Sequence, residues 1–365
     1  MKKALLAVLV AGAVLGTAAT AGSASAASLS PADVVKATLV DRSAALQGSN
    51  FIAGDALDMH YNVASSKLKA HEQQRVQGLR KQLQATWPGK IVSIKSTPSI
   101  ADTTVNGKTA TVKAYDEMEI VWIPFNDDHT ETLVAKGPNG EITSKFGTWH
   151  DVTLSNDGNN WSIQADSYDE GPGLTKSPDY VAPKASPLDS YQPTSLNQPG
   201  ATSQPYTLYS WTYNHQAAAN YADTYWSSYN SGYKNFNSVG GDCANFVSQS
   251  LRAGGQPDDG SWYYRNNGGS TADDAWTYAW VNNQGLRDWA RNTSRGIAYT
   301  DYSQLMVGDI VNYDWDWNGT YDHVTIIVQA GANALIDSHN NDRYHVPYNY
   351  GSSQGMSFTH LYTWP

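Results

Sequence analysis

Between Glu170 and Pro205 the chain turns to Pro, Ser, Thr, Gln and Gly, with Pro172, Pro178, Pro183, Pro187, Pro193, Pro199 and Pro205 spaced through a stretch that has few apolar clusters. Proline lacks a backbone N–H and fixes φ, so it interrupts helices and central strands alike. Residues 171–205 therefore read as a linker. A chain of 365 residues is too long for one compact core, and this segment predicts where it divides: an N-terminal domain over 27–170 and a C-terminal domain over 206–365.

Ahead of both stands an export signature. Lys2 and Lys3 precede an apolar run from Ala4 to Leu15, and small residues lead to Ala24, Ser25 and Ala26, an A-x-A cleavage pattern. Residues 1–26 read as a removable signal peptide and predict a secreted protein. The apolar run is too short for a membrane anchor, and no later stretch nears the roughly 20 apolar residues of a spanning helix. Without the leader, 22 basic residues face 34 acidic ones, a formal charge of about −12. Such a surface disfavours nucleic acid as a partner, since phosphate affinity needs clustered positive charge. Cys243 is the only cysteine, so an internal disulfide is excluded and stability must come from packing.

In the N-terminal domain, Ser30 and Pro31 stand before Val34, Val35, Leu39 and Leu46, which predicts a capped helix. Leu68, Val76, Leu79, Leu83 and Trp87 recur at helical spacing up to the Pro88-Gly89 stop and predict a second. The period then falls to two: IVSIKS, TTV, an Asn106-Gly107 turn, TATVKAYDEMEIVWI, KFGTWHDVTL, an Asp157-Gly158 turn, and NWSIQADSY. Helices first and antiparallel strands after make an α+β domain, similar in outline to the cone-like NTF2 superfamily. His150 reads as a solvated or hydrogen-bonded strand residue.

The chemistry concentrates in the C-terminal domain. In GGDCANFVSQSL, Gly240 and Gly241 resist helix, Asp242 is an N-cap residue type, and Phe246, Val247 and Leu251 follow Cys243 at helical spacing. The thiol is expected in the first helical turn, on the inward face. There the unpaired N–H groups and the positive end of the helix dipole favour thiolate and can donate to an oxyanion. The bland alternative is a small buried hydrophobe. Tyr213 and Asn214 sit near an earlier helix start. Further on, Ile310, Val324, Ile326 and Val328 mark two strands and Leu335 and Ile336 a third. His323 opens one strand and His339 ends the next, so adjacent antiparallel strands would place two imidazoles in series with the thiol.

These residues resemble the NlpC-type cell-wall peptidases and CHAP amidases of the papain-like superfamily. They are closer still to the bacterial "putative amidase domain" family, at YNHQAAANYA, GGDCANFVSQSLRAGG, GDIVNYDWDWNGTYDHV and DSHNNDR. The resemblance spans nearly all of 206–365 and implies a papain-like α+β fold. It implies Cys243 as nucleophile, His323 as general base and acid, and a polar residue on the following strand as orienter, for which His339 and Asn340 are the candidates. It also implies an upstream oxyanion donor, for which Tyr213 and Asn214 are the candidates. The expected activity is a cysteine amidase or peptidase acting on cell-wall peptides, with no cofactor and no metal. A binding module with an incidental thiol and a thioester acyltransferase are the alternatives.

Asp314, Asp316, Asn318 and Gly319 reproduce the start of a calcium loop, but Thr325 stands where the bidentate glutamate belongs, so the segment reads as a polar hairpin turning at Asn318-Gly319. Asp322 reads as a solvent-facing residue of that loop. His215, His323, His339 and Cys243 lack the close spacing of a structural zinc site. Trp262, Tyr263, Tyr264, Trp276, Tyr278, Trp280 and Trp289 read as core first and cleft lining second.

Overall fold

The computed structural model describes residues 29–47, 66–125, 134–168, 212–300, 302–331, 333–350 and 355–362; the expected leader and linker lie outside them. The first half contains α1 (Pro31–Gln47), α2 (Ser66–Thr86), β1 (Gly89–Asn106), β2 (Thr109–Pro124), β3 (Ile142–Asn156) and β4 (Trp161–Tyr168). The side chain of Ser30 accepts the Asp33 N–H at 3.2 Å and starts α1. Val76, Leu79 and Leu83 bury one face of α2, and Trp87 closes it where Pro88 ends the helix. The two predicted hairpin turns stand where Gly107 and Gly158 take positive φ, 60° and 111°. His150 on β3 finds its partner across the hairpin: Nδ1 lies 2.8 Å from Asp166 of β4. Burial alone would raise the Asp166 pKa, but His150 and Arg42 outweigh it and hold the carboxyl below its usual range.

The second half contains α3 (His215–Tyr225), α4 (Cys243–Ala253), β5 (Tyr264–Arg265), β6 (Ala275–Trp276), α5 (Tyr278–Val281), α6 (Asn283–Asn292) and β7 (Gly296–Tyr299). It continues with β8 (Ile310–Asp314), β9 (His323–Gln329), β10 (Leu335–Ser338), β11 (Arg343–Pro347) and β12 (Gly355–Leu361). The molecule is mixed α+β, as the alternation of periods predicts. Trp262 stacks on Trp289 at 4.3 Å between centroids and packs tilted against Trp280 at 4.7 Å, and all three belong to the core. No helix among the described residues is long and apolar enough to cross a membrane.

Both halves share one sheet, in the order β1-β2-β3-β11-β10-β9-β8-β12-β7, with β4 also on β3. The second edge of β3 is divided: residues 150–156 pair with β4, while Phe146 and Lys145 pair with Arg343 and Tyr344 of β11. Side chains reinforce this short join. Trp122 Nε1 donates to Ser144 Oγ at 2.9 Å, and Ser144 donates to the His345 carbonyl at 2.6 Å. Tyr115 donates to Asp342 at 2.9 Å, and the Arg343 guanidinium lies over the Phe146 ring. Apolar packing is continuous across the join, from Trp87 and Phe146 to Tyr350.

Candidate active site

Cys243 is the first residue of α4, as its pattern predicts, and is 6% exposed. Gly240 and Gly241 enter the helix with φ of 125° and 123°, a region closed to most L residues. Gly241 is also required by space, because a Cβ there would overlap the side-chain amide of Asn340.

Asp242 stands at the N-cap position without capping α4. Its carboxylate is drawn inward instead. Oδ1 accepts from the Phe236 N–H at 2.8 Å and from Asn245 Nδ2 at 3.0 Å, and Oδ2 lies 2.7 Å from His339 Nδ1. The Asp242 N–H donates to Asn340 Oδ1 at 2.8 Å. His339 Nε2 lies 2.7 Å from the Tyr225 carbonyl, and its ring stacks between Tyr229 and Phe246. Both ring nitrogens of His339 thus face acceptors and fix the ring in place. Asn340 and Asn341 take positive φ, 58° and 76°, a conformation asparagine tolerates. The DSHNNDR segment therefore holds the turn that carries the thiol.

These contacts correct the expected orienters. The backbone of β10 does run antiparallel beside β9, but His339 and Asn340 direct their side chains to Asp242, leaving neither for His323. The expected oxyanion donors are displaced further. Asn214 caps α3 by accepting the Ala217 N–H, and Tyr213 donates to the Gly308 carbonyl at 2.7 Å. Both pack at Gly254, beyond the far end of α4, and eleven residues at 1.5 Å each put that end about 16 Å from the thiol.

The thiol meets a residue the sequence did not single out. Cys243 Sγ donates to Asn283 Oδ1 at 3.3 Å. Asn283 opens α6, and its carbonyl accepts from Asn312 of β8 at 3.4 Å. Asn312 and Asn283 are both buried, and Asn312 Oδ1 has no hydrogen-bond partner among the described residues. The polar run Asn282-Asn283-Gln284 before an amphipathic helix was the available signal. Only the fold shows that it faces the thiol.

His323 opens β9, as predicted, opposite Tyr313 of β8, while the next pair is Val324 opposite Asn312. Asn312 and Val324 share one face of the β8–β9 pair, where Asn312 meets Asn283. Alternation gives His323 the other face, where its ring lies 6.0 Å from Tyr313 and 5.1 Å from Trp315. The thiol's hydrogen bond goes to Asn283 rather than to this ring. Burial pushes the His323 pKa down to about 3, helped by the Arg343 charge. Burial likewise pushes the thiol up to about 11, although the N–H groups of Val324 and Ala244 pull the other way. Desolvation therefore outweighs the helix-start effect read from the sequence, and at neutral pH the site holds a thiol and a neutral imidazole.

The loop before His323 folds as a polar turn. Asp314 accepts from the N–H groups of Asn318 and Gly319, and Asp322 accepts from that of Trp315. Asp322 is exposed, as expected, and its carboxylate serves its own loop. Asp314, Asp316 and Asp322 converge, with exposed acids among them.

Residues 212–362 match the family model described as "Putative amidase domain", which supports an amidase-like family for this part of the chain and amide hydrolysis as its reaction class. Two curated proteins of Bacillus subtilis (strain 168) are similar. "Uncharacterized protein YhbB" is 33% identical over 119 residues, covering 32% of this chain and 37% of that protein. "Uncharacterized protein YjcM" is 29% identical over 177 residues, covering 45% and 40%. The chain thus spans well under half the length of the curated relatives it matches. No solved structure gives a significant match.

Proposed function

We propose that the protein is a secreted cysteine amidase or peptidase whose C-terminal domain is papain-like and whose substrates are cell-wall peptides. The observation that carries the reading is Cys243 at the start of α4, with the N–H groups of Ala244 and Val324 acting on its sulfur, inside the segment that matches the amidase model. Sγ adds to the amide carbonyl and its proton passes to His323. The helix-start N–H groups and Asn283 hold the oxyanion. His323 then returns the proton to the leaving amine, and water, deprotonated by the same ring, cleaves the thioester to acid and thiol. A neutral imidazole is the form a base requires. Catalysis requires the thiol to give up its resting hydrogen bond to Asn283 and pass its proton to His323.

The test is release of new amino groups from purified bacterial cell walls and from peptides cut from them. Cys243→Ala should abolish release and His323→Gln should lower it by about 10²- to 10⁴-fold. An unchanged rate in Cys243→Ala would sink the proposal. A second reading has its own support: the thiol is buried, neutral and hydrogen-bonded to Asn283, which suits a binding domain in which Cys243 is core packing. In that case both variants would bind cell walls as the parent does, and none would release amines.

A further inference from the structure

Behind the Asp242 turn, three elements bring together side chains that the proposed chemistry does not use. Asp223 lies on α3, Asp337 on β10 and His345 on β11, and one ligand atom from each falls within 4.8 Å of the other two. Asp337 is fully buried. Its Oδ1 accepts the His345 N–H at 2.7 Å, while Oδ2 is buried with no hydrogen-bond partner among the described residues. His345 Nε2 lies 2.8 Å from Asp223 Oδ1, and the Asp223 side chain is 35% exposed. No lysine or arginine pairs with Asp337 among the described residues. Its charged neighbour is the second carboxylate, Asp223.

Two carboxylates held together in an interior cannot both ionise without a counter-charge. A proton shared between them is one answer. A cation is the other, and three features favour it: an imidazole nitrogen completes a mixed oxygen and nitrogen set, the unpartnered Asp337 oxygen is aimed into that set, and the half-exposed Asp223 leaves a side open for water. Three protein ligands plus water is the coordination of an open zinc site. We propose that Asp223, Asp337 and His345 bind one divalent transition-metal ion of the zinc type. The ion would tie α3 to β10 and β11. It would also fix both ends of the His339 clamp, because Asp223 lies two residues before Tyr225 and Asp337 two residues before His339. This site does not depend on the amidase reading.

The experiment uses the full mature chain without a histidine tag, stripped with a chelator and titrated with Zn²⁺ by calorimetry and with Co²⁺ by visible absorption. One equivalent of Zn²⁺ should bind at micromolar affinity or tighter, and Co²⁺ should show the intense bands of a four- or five-coordinate site. Asp337→Asn and His345→Gln should each weaken Zn²⁺ binding by at least about 100-fold and erase those bands. If either fails to fold, Asp223→Asn on the half-exposed helix face gives the same readout. A double variant Asp316→Asn/Asp322→Asn should bind as the parent does. Millimolar or absent binding in the parent, or binding lost only in that double variant, would overturn the proposal. So would an Asp337→Asn variant that gains thermal stability while zinc does nothing to the parent, since that is the signature of a shared proton.

Discussion

Alkylation of the single thiol gives the sharpest test of the site's electrostatics. A free cysteine with a pKa of roughly 8.5 is about 3% thiolate at pH 7. With the pKa pushed up to about 11, the thiolate fraction of Cys243 falls to about one in ten thousand. That is a loss of roughly 300-fold. The more basic thiolate is the better nucleophile, and a Brønsted slope of about 0.4 to 0.5 returns roughly tenfold of it. Ionisation alone should leave Cys243 about 25-fold slower toward iodoacetamide than a model thiol, and a side chain 6% exposed adds a steric penalty. Intact-mass kinetics between pH 6 and 11 should show the rate still rising tenfold per pH unit beyond pH 9. Because the resting thiol bonds to Asn283, His323→Gln should change the pH 7 rate by less than about threefold while cutting amide hydrolysis by about 10² or more. A plateau below pH 8.5, or fast labelling at pH 7 that vanishes with His323, would refute the reasoning, since it would reveal a thiolate–imidazolium pair in the resting enzyme.

Three further outcomes follow from buried groups. His323 titrates near 3 in the folded chain against 6.5 unfolded, so its contribution is intact above pH 6.5 and drains as pH falls toward 3, by up to about 4 to 5 kcal/mol. Urea unfolding should show a shallower acid limb in His323→Gln, and an unaltered slope would contradict the burial. Asp242→Asn removes the charge facing His339 at a site 1% exposed and should cost about 3 to 5 kcal/mol; a shift in urea midpoint worth under 1 kcal/mol would mean that the clamp is not ionic. Tyr115→Phe withdraws one of the donors to the buried Asp342 and should cost about 1 to 3 kcal/mol. No change in its midpoint would show that the contact between the halves contributes nothing.

Local pattern made much of this molecule legible. Ser30-Pro31, the two glycine turns, the strand runs and the helix beginning at Cys243 are all decided within a few residues, where capping, φ preference and periodicity act. What escaped the sequence is decided at long range. Asp242 is a good capping residue type, yet its carboxylate goes to His339, 97 positions away. Asn283 is 40 positions from the thiol it contacts. The helix-start argument gave the right place for Cys243 and the wrong direction for its pKa, because the dipole is a local property and desolvation depends on what the whole domain stacks over the sulfur. The face of β9 that carries His323 depends in the same way on register with β8, which strand existence alone does not specify.

The divided edge of β3 has a consequence for anyone who trims this protein. A fragment beginning near residue 206 would carry β11 stripped of its neighbour, with the main-chain groups of Arg343 and Tyr344 facing water in place of Phe146 and Lys145. Bare strand edges of this kind template the addition of another chain. The N-terminal half therefore covers an edge that would otherwise stand open to another strand. Loss of activity in such a truncation would report oligomers before it reported catalysis.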